Sequence, residues 1–262
     1  MGLVTHNYAG QDAGPGADQE VELLDLVLQA HGGIERWRTF DTVRATFVSS
    51  GGLLPLKGLD VTPKPSEAVA TIREESLRID GYRRPDWRMR FTPDRVVIES
   101  MNAELVEERT NPRESFVGHT LATAWDLIHV AYFNGYARWT YLTTPFFMAM
   151  PGFSVTEIEP WKEGSEIWRG LRVRFPPSIA SHSTEQEFYF GPDHLLRRHD
   201  YRLEIAGGVP IAQYVHDIVE ADGFRFPSKR RAFPRGAGSK PIRDLLLISI
   251  DLSDFHVEKS AR

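Results

Sequence analysis

Most of the chain alternates between apolar and polar positions with a period of two, which is the pattern of half-buried β-strands. In Thr42–Val48, for example, Val43, Ala45 and Phe47 share one face. Short turns rich in Gly, Pro and Asp join many of the runs that follow, which are Ala68–Ile79, Trp87–Phe91, Arg95–Ser100, Glu104–Arg109, Ser154–Ile158, Trp168–Phe175, Glu185–Phe190, Leu195–Ile205, Ile211–Glu220, Arg225–Phe233 and Leu245–Leu252. We therefore predict about ten consecutive antiparallel strands, a number at which an open sheet must curl or close.

Two stretches have helical spacing instead. The first begins at Asp18, repeats apolar residues such as Leu24 and Leu28 at a helical interval, and stops at Gly32. The second is Ala124–Phe146, AWDLIHVAYFNGYARWTYLTTPF, which separates two blocks of strands. It is the one long helical insertion in a chain that otherwise predicts strands.

The longer helix carries an aromatic face. At about 100° per residue, five of its side chains fall within an arc of about 80°; they are Trp125, Ile128, Tyr132, Tyr136 and Trp139. Leu127, Asn134 and Arg138 lie on the opposite side, so the helix is predicted to be amphipathic. Gly135 is the position at which it could break.

Together these elements predict an α+β protein, a strongly curved antiparallel β half-barrel of about ten strands with helices plugging its concave side. Residues 1–17 are rich in Gly, Ala and Asp and are predicted to be a disordered tail. Residues 18–262 are predicted to be a single domain, because no linker or repeat divides them.

Composition and charge exclude several classes of function. The 262 residues carry a net charge of −5, and basic clusters such as Arg83-Arg84 are short, so no nucleic-acid partner is expected. The lack of cysteine excludes disulfides and thiolate chemistry. No apolar run is long enough for a transmembrane helix, and no secretory signal is visible at the start. We expect a cytoplasmic protein without membrane insertion; its oligomeric state stays open.

No sequence motif indicates a metal or a cofactor. No pair of His residues stands at metal-ligand spacing on one element, and the Gly-Gly pairs lack the context of a phosphate-binding loop. The GxSxG motif of α/β-hydrolase nucleophiles is also absent. We therefore expect no cofactor and no metal, while a metal site assembled from distant residues stays open.

Asp126 and His129, near the start of the aromatic helix, are three residues apart, a separation at which helical side chains meet. A carboxylate beside an imidazole suits acid–base catalysis, because it fixes the tautomer of the ring and stabilises its protonated form. The alternative is structural: Asp126 caps the helix at its positive end, and His129 merely borders the aromatic face.

A second polar group lies in the C-terminal strands. His199 and Tyr201 share one face of their strand with apolar residues and are predicted to point inward, where a buried imidazole and phenol need hydrogen-bond partners. The next two strands could bring further side chains to the same cavity, namely Tyr214, Asp217 or His216, and Lys229. The alternative is a ladder of ion pairs on a solvated face, formed by Arg198, Asp200, Asp217 and Arg231.

Four strings resemble a group of uncharacterised bacterial proteins whose fold is similar to that of the LolA/LppX lipoprotein carriers: HGGIERWRTFDTVRATF, WDLIHVAYFNGYARWTYLTTPF, FYFGPDHLLRRHDY and DGFRFPSKRRAFPR. The resemblance spans Leu23 to Phe255. It implies an open half-barrel with helices filling its mouth, a hollow that holds acyl chains in LolA-like proteins. The chain departs from these carriers, since it shows no export signal and its inward face is more aromatic and polar than a lipid tail requires.

Three functions fit these patterns. The sequence favours a cofactor-independent cyclase, isomerase, lyase or hydrolase of polyketide-like or aromatic substrates. The predicted catalytic residues of that enzyme are His199, Tyr201, His129 and Asp126; a histidine is the general base and Tyr201 orients a substrate oxygen. The residues that would line its cavity are Trp125, Tyr132, Phe133, Tyr136 and Trp139. The second function is a non-catalytic carrier of a lipid or other apolar ligand, and the third is a structural protein with a filled core.

Overall fold

The computed structural model of the chain describes residues 17–59 and 62–259. The predicted disordered tail, residues 1–17, lies outside this description apart from Ala17, which begins the first helix. That residues 18–262 form one domain stays a prediction. The α-helices of the described ranges are α1 (Ala17–Ala30), α2 (Ile34–Trp37), α3 (Leu53–Leu56) and α4 (Leu127–Thr143). None of them is long and apolar enough to cross a membrane.

A single antiparallel sheet contains the thirteen strands of the described residues. They are β1 (Thr42–Ser50), β2 (Ser66–Thr71), β3 (Leu77–Asp80), β4 (Trp87–Thr92), β5 (Arg95–Ser100), β6 (Leu105–Thr110), β7 (Ser154–Glu163), β8 (Glu166–Arg174), β9 (Glu185–Phe190), β10 (Leu196–Leu203), β11 (Val209–Ala221), β12 (Phe224–Pro234) and β13 (Ile248–Glu258). The predicted fold class is confirmed as an open, curved half-barrel, but the strand count is higher than the predicted ten.

One cause of the higher count is a turn inside the predicted run Ala68–Ile79. The run is two strands, β2 and β3, joined where the backbone N–H of Thr71 donates to the carbonyl of Ser76 at 3.1 Å. Glu75 in this turn is buried, and its Oε2 accepts from the backbone N–H of Ala180 at 2.6 Å. The turn therefore points a carboxylate inward, which the alternation of the run does not show.

The first and last strands of the chain pair at the centre of the sheet, with Val43 opposite Val257. The strand order is β6-β5-β4-β3-β2-β1-β13-β12-β11-β10-β9-β8-β7. The first six strands thus run outward from the centre to one edge, and the last seven start at the other edge and return. Helix α4 is the connection between the two edges, as the helical insertion predicts.

Helix α4 is buried on every side, so the prediction that it is amphipathic is wrong. Arg138, assigned to the solvent side, is only 7% exposed, and Leu127 and Asn134 are half-buried. The helix packs against the first six strands, and Tyr132 meets Phe91 of β4 edge to face at 5.7 Å. A helix buried all round needs no polar face, which explains the failure of the periodicity argument.

Gly135 does not break α4; it lets the helix approach the sheet. A Cβ atom at this position would lie 2.2 Å from Cγ of Phe91, whose ring is buried beneath the helix. The missing side chain therefore sets how closely α4 packs on β4.

We expect Gly135→Ala to lower the free energy of unfolding by about 1–2 kcal/mol. Overpacking a filled core costs about 1–3 kcal/mol, and a contact this close to a buried ring belongs at the upper end, whereas alanine gains roughly 1 kcal/mol over glycine inside a helix. Urea titration measures the change. Gly236→Ala is the control, because its new Cβ would meet no atom closer than 3.4 Å. Equal losses in both variants would contradict the packing argument.

Candidate functional site

Eight buried polar side chains connect α4 to the C-terminal strands, and we call them the buried network. They come from α4, from the loop after β8 and from β9 to β12: Tyr136, Tyr141, His182, Gln186, His199, Tyr201, Gln213 and Arg230. His199 and Tyr201 do lie on the inward face of β10. The register explains the grouping, because His199 pairs with Gln213 of β11 and Phe188 of β9.

The network is held by short contacts. The amide nitrogen of Gln186 donates to the carbonyl of Ser183 at 2.9 Å, so its Oε1 faces Nε2 of His199 at 2.6 Å and that nitrogen carries the proton. The ring of His182 stacks on Tyr201 with centroids 3.9 Å apart. Its two nitrogens each lie 3.2 Å from a phenol oxygen, those of Tyr136 and Tyr141.

Arg230 of β12 adds a positive charge to the buried network. Its guanidinium donates to Oε1 of Gln213 at 3.0 Å and to the carbonyl of Tyr141 at 3.1 Å, and it lies 4.3 Å from the centroid of the Tyr141 ring. Burial lowers its pKa to about 10, so the group stays charged at neutral pH. Within the described residues, neutral oxygens and an aromatic face stabilise this cation in place of a carboxylate.

Burial also sets the protonation states of the rings. It lowers the pKa of His182 and His199 well below the ordinary value for histidine, and it raises the pKa of Tyr136 and Tyr201 well above that of a free phenol. Both imidazoles and both phenols are therefore neutral at pH 7. Such a network specifies packing, and proton transfer would further require access for a substrate.

Asp126 and His129 form a reciprocal cap at the start of α4. Oδ1 of Asp126 accepts from the backbone N–H of His129 at 2.8 Å, and Nδ1 of His129 accepts from the backbone N–H of Asp126 at 3.1 Å. Arg109 donates to the second carboxylate oxygen at 2.7 Å. The structural alternative is what the geometry shows; a catalytic role for the pair stays a prediction.

The four predicted catalytic residues do not meet across a void. Two helical turns, about 10 Å of helix, separate His129 from Tyr136, the nearest α4 member of the buried network. The aromatic rings fill the space between: Phe133 packs on Tyr136 at 5.8 Å, and Trp125 packs on Phe133 at 5.4 Å. His199 and Tyr201 line neither of the two cavities described below.

The residues predicted to shape the substrate cavity are mostly core. Trp139 donates its indole N–H to the carbonyls of Thr71 and Glu74 at 3.0 and 3.1 Å, which anchors α4 to the turn after β2. Tyr132 is the member that lines a cavity, the second one below. Substrate contact by Trp125, Phe133, Tyr136 and Trp139 stays a prediction, and their packing gives it no support.

Tyr214, Asp217 and Lys229 do not point into a common cavity with His199, so this expectation is wrong. Tyr214 pairs with Arg198, which places both on the face of the sheet opposite to His199. Asp217 and Lys229 form an exposed ion pair with an N–O distance of 2.5 Å. The alternation of β11 did not show which of its side chains point inward, and its register with β10 does.

The Arg198 and Asp200 pair is buried, whereas the alternative ladder placed it on a solvated face. Nε and Nη2 of Arg198 donate to the two oxygens of Asp200 at 2.6 and 2.7 Å, and Arg235 donates to Oδ2 at 2.9 Å. Trp161 covers the guanidinium at 4.1 Å. Burial raises the pKa of Asp200 even though Arg198 lies beside it. The pair is therefore a buried ion pair on the face of the sheet opposite to His199.

Two cavities flank α4 at opposite ends of β4. The first cavity, about 440 Å³, lies where β1 ends, β2 begins and β3 turns into β4, and it is lined by Ser49, Ser66, Tyr82, Arg83 and by Val130, Asn134 and Arg138 of α4. The second cavity, about 310 Å³, lies beside Pro93, just after β4, and beside Phe175, Ile179 and Tyr132. The helix face that was assigned to solvent thus lines the larger cavity.

Arg138 is the functional candidate that sequence reasoning missed. Its Nη1 donates to Oγ of Ser66 at 2.9 Å, and its guanidinium carbon lies 4.7 Å above the ring of Phe47. It pairs with no carboxylate of the described residues, and burial lowers its pKa to about 10. The available signal in the sequence was that Arg138 is the one Lys, Arg, Asp or Glu residue within the long aromatic helix.

Among residues 17–59 and 62–259, no group of three His, Asp or Glu side chains is placed to hold a metal ion.

Comparison with known proteins gives the fold. No family model and no curated protein matches the chain. A putative outer membrane lipoprotein-sorting protein domain from Vibrio parahaemolyticus matches with a TM-score of 0.56 and 8% identity, over 94% of this chain and 95% of that one. A DUF1329 family protein from Desulfovibrio piger matches with 0.53 and 11%, over 93% and 95%. The predicted likeness to the lipoprotein-carrier fold is therefore confirmed for the fold.

We expect Asp126→Ala to lower the free energy of unfolding by about 1 kcal/mol and Asp126→Asn to leave it nearly unchanged. Asparagine caps a helix as well as aspartate does, and the partly exposed ion pair with Arg109 contributes little. Thermal unfolding of both variants is the measurement. Equal losses would show that the charge, and not the cap, stabilises α4.

We expect Asp200→Ala to lower the free energy of unfolding by about 3–5 kcal/mol, because Arg198 is then buried without its carboxylate. Urea titration measures the loss. Glu185→Ala is the matched control, since it removes the exposed partner of Arg174 and is expected to cost below about 1 kcal/mol. Comparable losses would contradict the internal role assigned to Asp200.

Proposed function

We propose that the protein is a non-catalytic carrier that binds a small hydrophobic or lipid molecule on the concave side of its half-barrel. The fold supports this proposal, because a similar structure is a putative lipoprotein-sorting protein domain. Fold alone does not decide function, so the proposal rests on the cavities beside α4.

The observation that carries the proposal is the first cavity. Its volume of about 440 Å³ falls in the range of small-molecule sites. It lies between α4 and the ends of the first strands. Leu54, Val130 and Pro85 supply apolar walls, and Tyr82 and Asn134 supply hydrogen-bonding groups. Apolar walls with a few polar groups are the usual construction of a site that buries an apolar ligand.

Acid–base catalysis, the function favoured by the sequence, has less support. A general base must lie within hydrogen-bond reach of a substrate proton, and His182 and His199 are enclosed by side chains of the buried network. Nδ1 of His129 is engaged in the helix cap. The carrier interpretation needs none of these groups. The cytoplasmic location and the absence of a nucleic-acid partner stay predictions.

We expect the purified protein to carry a small apolar ligand, seen by native mass spectrometry, and to bind the neutral dye Nile red. Asn134→Trp places an indole in the first cavity and is expected to weaken dye binding at least roughly ten-fold, because the cavity is then filled. Fluorescence titration after delipidation measures the dissociation constant.

Ile167→Trp is the control, because Ile167 is exposed on β8 and lines neither cavity. Both variants must keep their melting temperature within a few degrees of the parent. Equal dye affinity in the two variants, together with no co-purifying ligand, would refute a carrier function at this cavity.

A further inference from the structure

Every charged side chain in the described lining of the first cavity is a cation. Lys64, Arg83, Arg84 and Arg138 line it, and its described lining contains no Asp or Glu. The whole chain has the opposite balance, with 36 acidic and 31 basic residues. The clustered cations therefore produce a positive potential in the cavity although the molecule as a whole is negative, and a concave surface focuses this field.

The four cations form a floor and a rim. Arg138 is 7% exposed and lies at the floor, where α4 meets Ser66 of β2. Lys64, Arg83 and Arg84 are exposed around the opening. Arg84 shares its charge with Asp86 at 3.2 Å, but no ion pair joins Lys64, Arg83 or Arg138 to a carboxylate of the described residues.

Arg138 makes one hydrogen bond among the described residues, although its guanidinium carries five donors. The fork of its remaining N–H groups suits the two oxygens of a carboxylate or a phosphate. Tyr82 stands beside it as a buried phenol whose pKa is raised by burial, so its hydroxyl stays a donor at neutral pH. A buried cation without a counter-ion is costly, and an anion in the cavity would offset that cost.

We propose that the first cavity binds the anionic head of an amphiphile, a carboxylate or phosphate monoester attached to an apolar chain, with Arg138 as the charge that recognises it. The inference rests on the proposed carrier function and specifies its ligand class. The head lies against Arg138 and Ser66, and the chain lies along Leu54 and Val130. The exposed rim cations draw the anion toward the opening, which makes binding sensitive to salt.

The test uses three probes with the same chain: hexadecanoic acid, hexadecyl phosphate and hexadecan-1-ol. Isothermal titration of the delipidated protein measures each affinity, with inorganic phosphate and acetate as chainless anions. We expect the two anionic probes to bind roughly 10- to 100-fold more tightly than the alcohol, because they gain charge-assisted hydrogen bonds. The ratio of the two anionic affinities identifies the head.

Arg138→Met is the informative variant, with Arg202→Met, exposed on β10 and outside both cavities, as its charge-matched control. We expect Arg138→Met to lose the preference for anionic probes while binding the alcohol as before. Without ligand its melting temperature is expected to match or exceed that of the parent, because the variant removes a buried charge that pairs with no carboxylate of the described residues. A merely structural arginine would instead lower it.

Each other outcome contradicts the inference at a different point. Equal affinity for the acid, the phosphate and the alcohol leaves a carrier that does not recognise charge. Inorganic phosphate binding as tightly as hexadecyl phosphate would show an anion site without an amphiphile. Binding of none of the probes would refute the inference and, with no co-purifying ligand, the proposed function as well. An unchanged preference in Arg138→Met would exclude Arg138 as the recognising charge.

Discussion

A helix that is buried on every side depends on the surrounding sheet for the partners of most polar groups that it carries. Unpaired polar groups in a dry interior are costly, so their partners must be built into the fold. The turn after β2 accepts the indole N–H of Trp139, and β11 and β12 supply Gln213 and Arg230 to Tyr141. The placement of α4 thus fixes contacts in both halves of the sheet.

The need of buried polar groups for partners explains why much of the fold could be predicted from the sequence and the site could not. Alternation identifies strands that have one buried face, and it holds for β1; in β10 both faces are buried, because Arg198 and Asp200 are enclosed on the face opposite to His199. It fails where polar residues turn inward, as Glu75 and Arg138 do, because periodicity assigns every charge to solvent. Which side chains of β11 point inward is decided by the pairing of His199 with Gln213. The sequence of one strand alone does not determine its register with a neighbouring strand.

The histidines illustrate a second limit. A lowered pKa in a buried imidazole accompanies both active sites and satisfied cores, so the shift does not separate them. His182 and His199 are placed among phenols, an amide and stacked rings that meet their hydrogen-bonding needs. The residue types that suggested catalysis are those that a large polar core also requires. Only access from a cavity distinguishes the two cases, and access is a property of the folded chain.

Access from a cavity also distinguishes three buried cations near α4. Lys57 donates to the carbonyl of Thr120 at 2.7 Å and lies 4.5 Å from the Trp125 ring, and Arg230 is enclosed in the same manner by an amide, a carbonyl and Tyr141. Carbonyl dipoles and aromatic faces stabilise both without a carboxylate. Arg138 also packs on an aromatic ring, that of Phe47, and donates to Oγ of Ser66, but it lines a cavity as well. Of these three buried cations, Arg138 is the one that lines either of the two cavities, so it is the one that a ligand can reach.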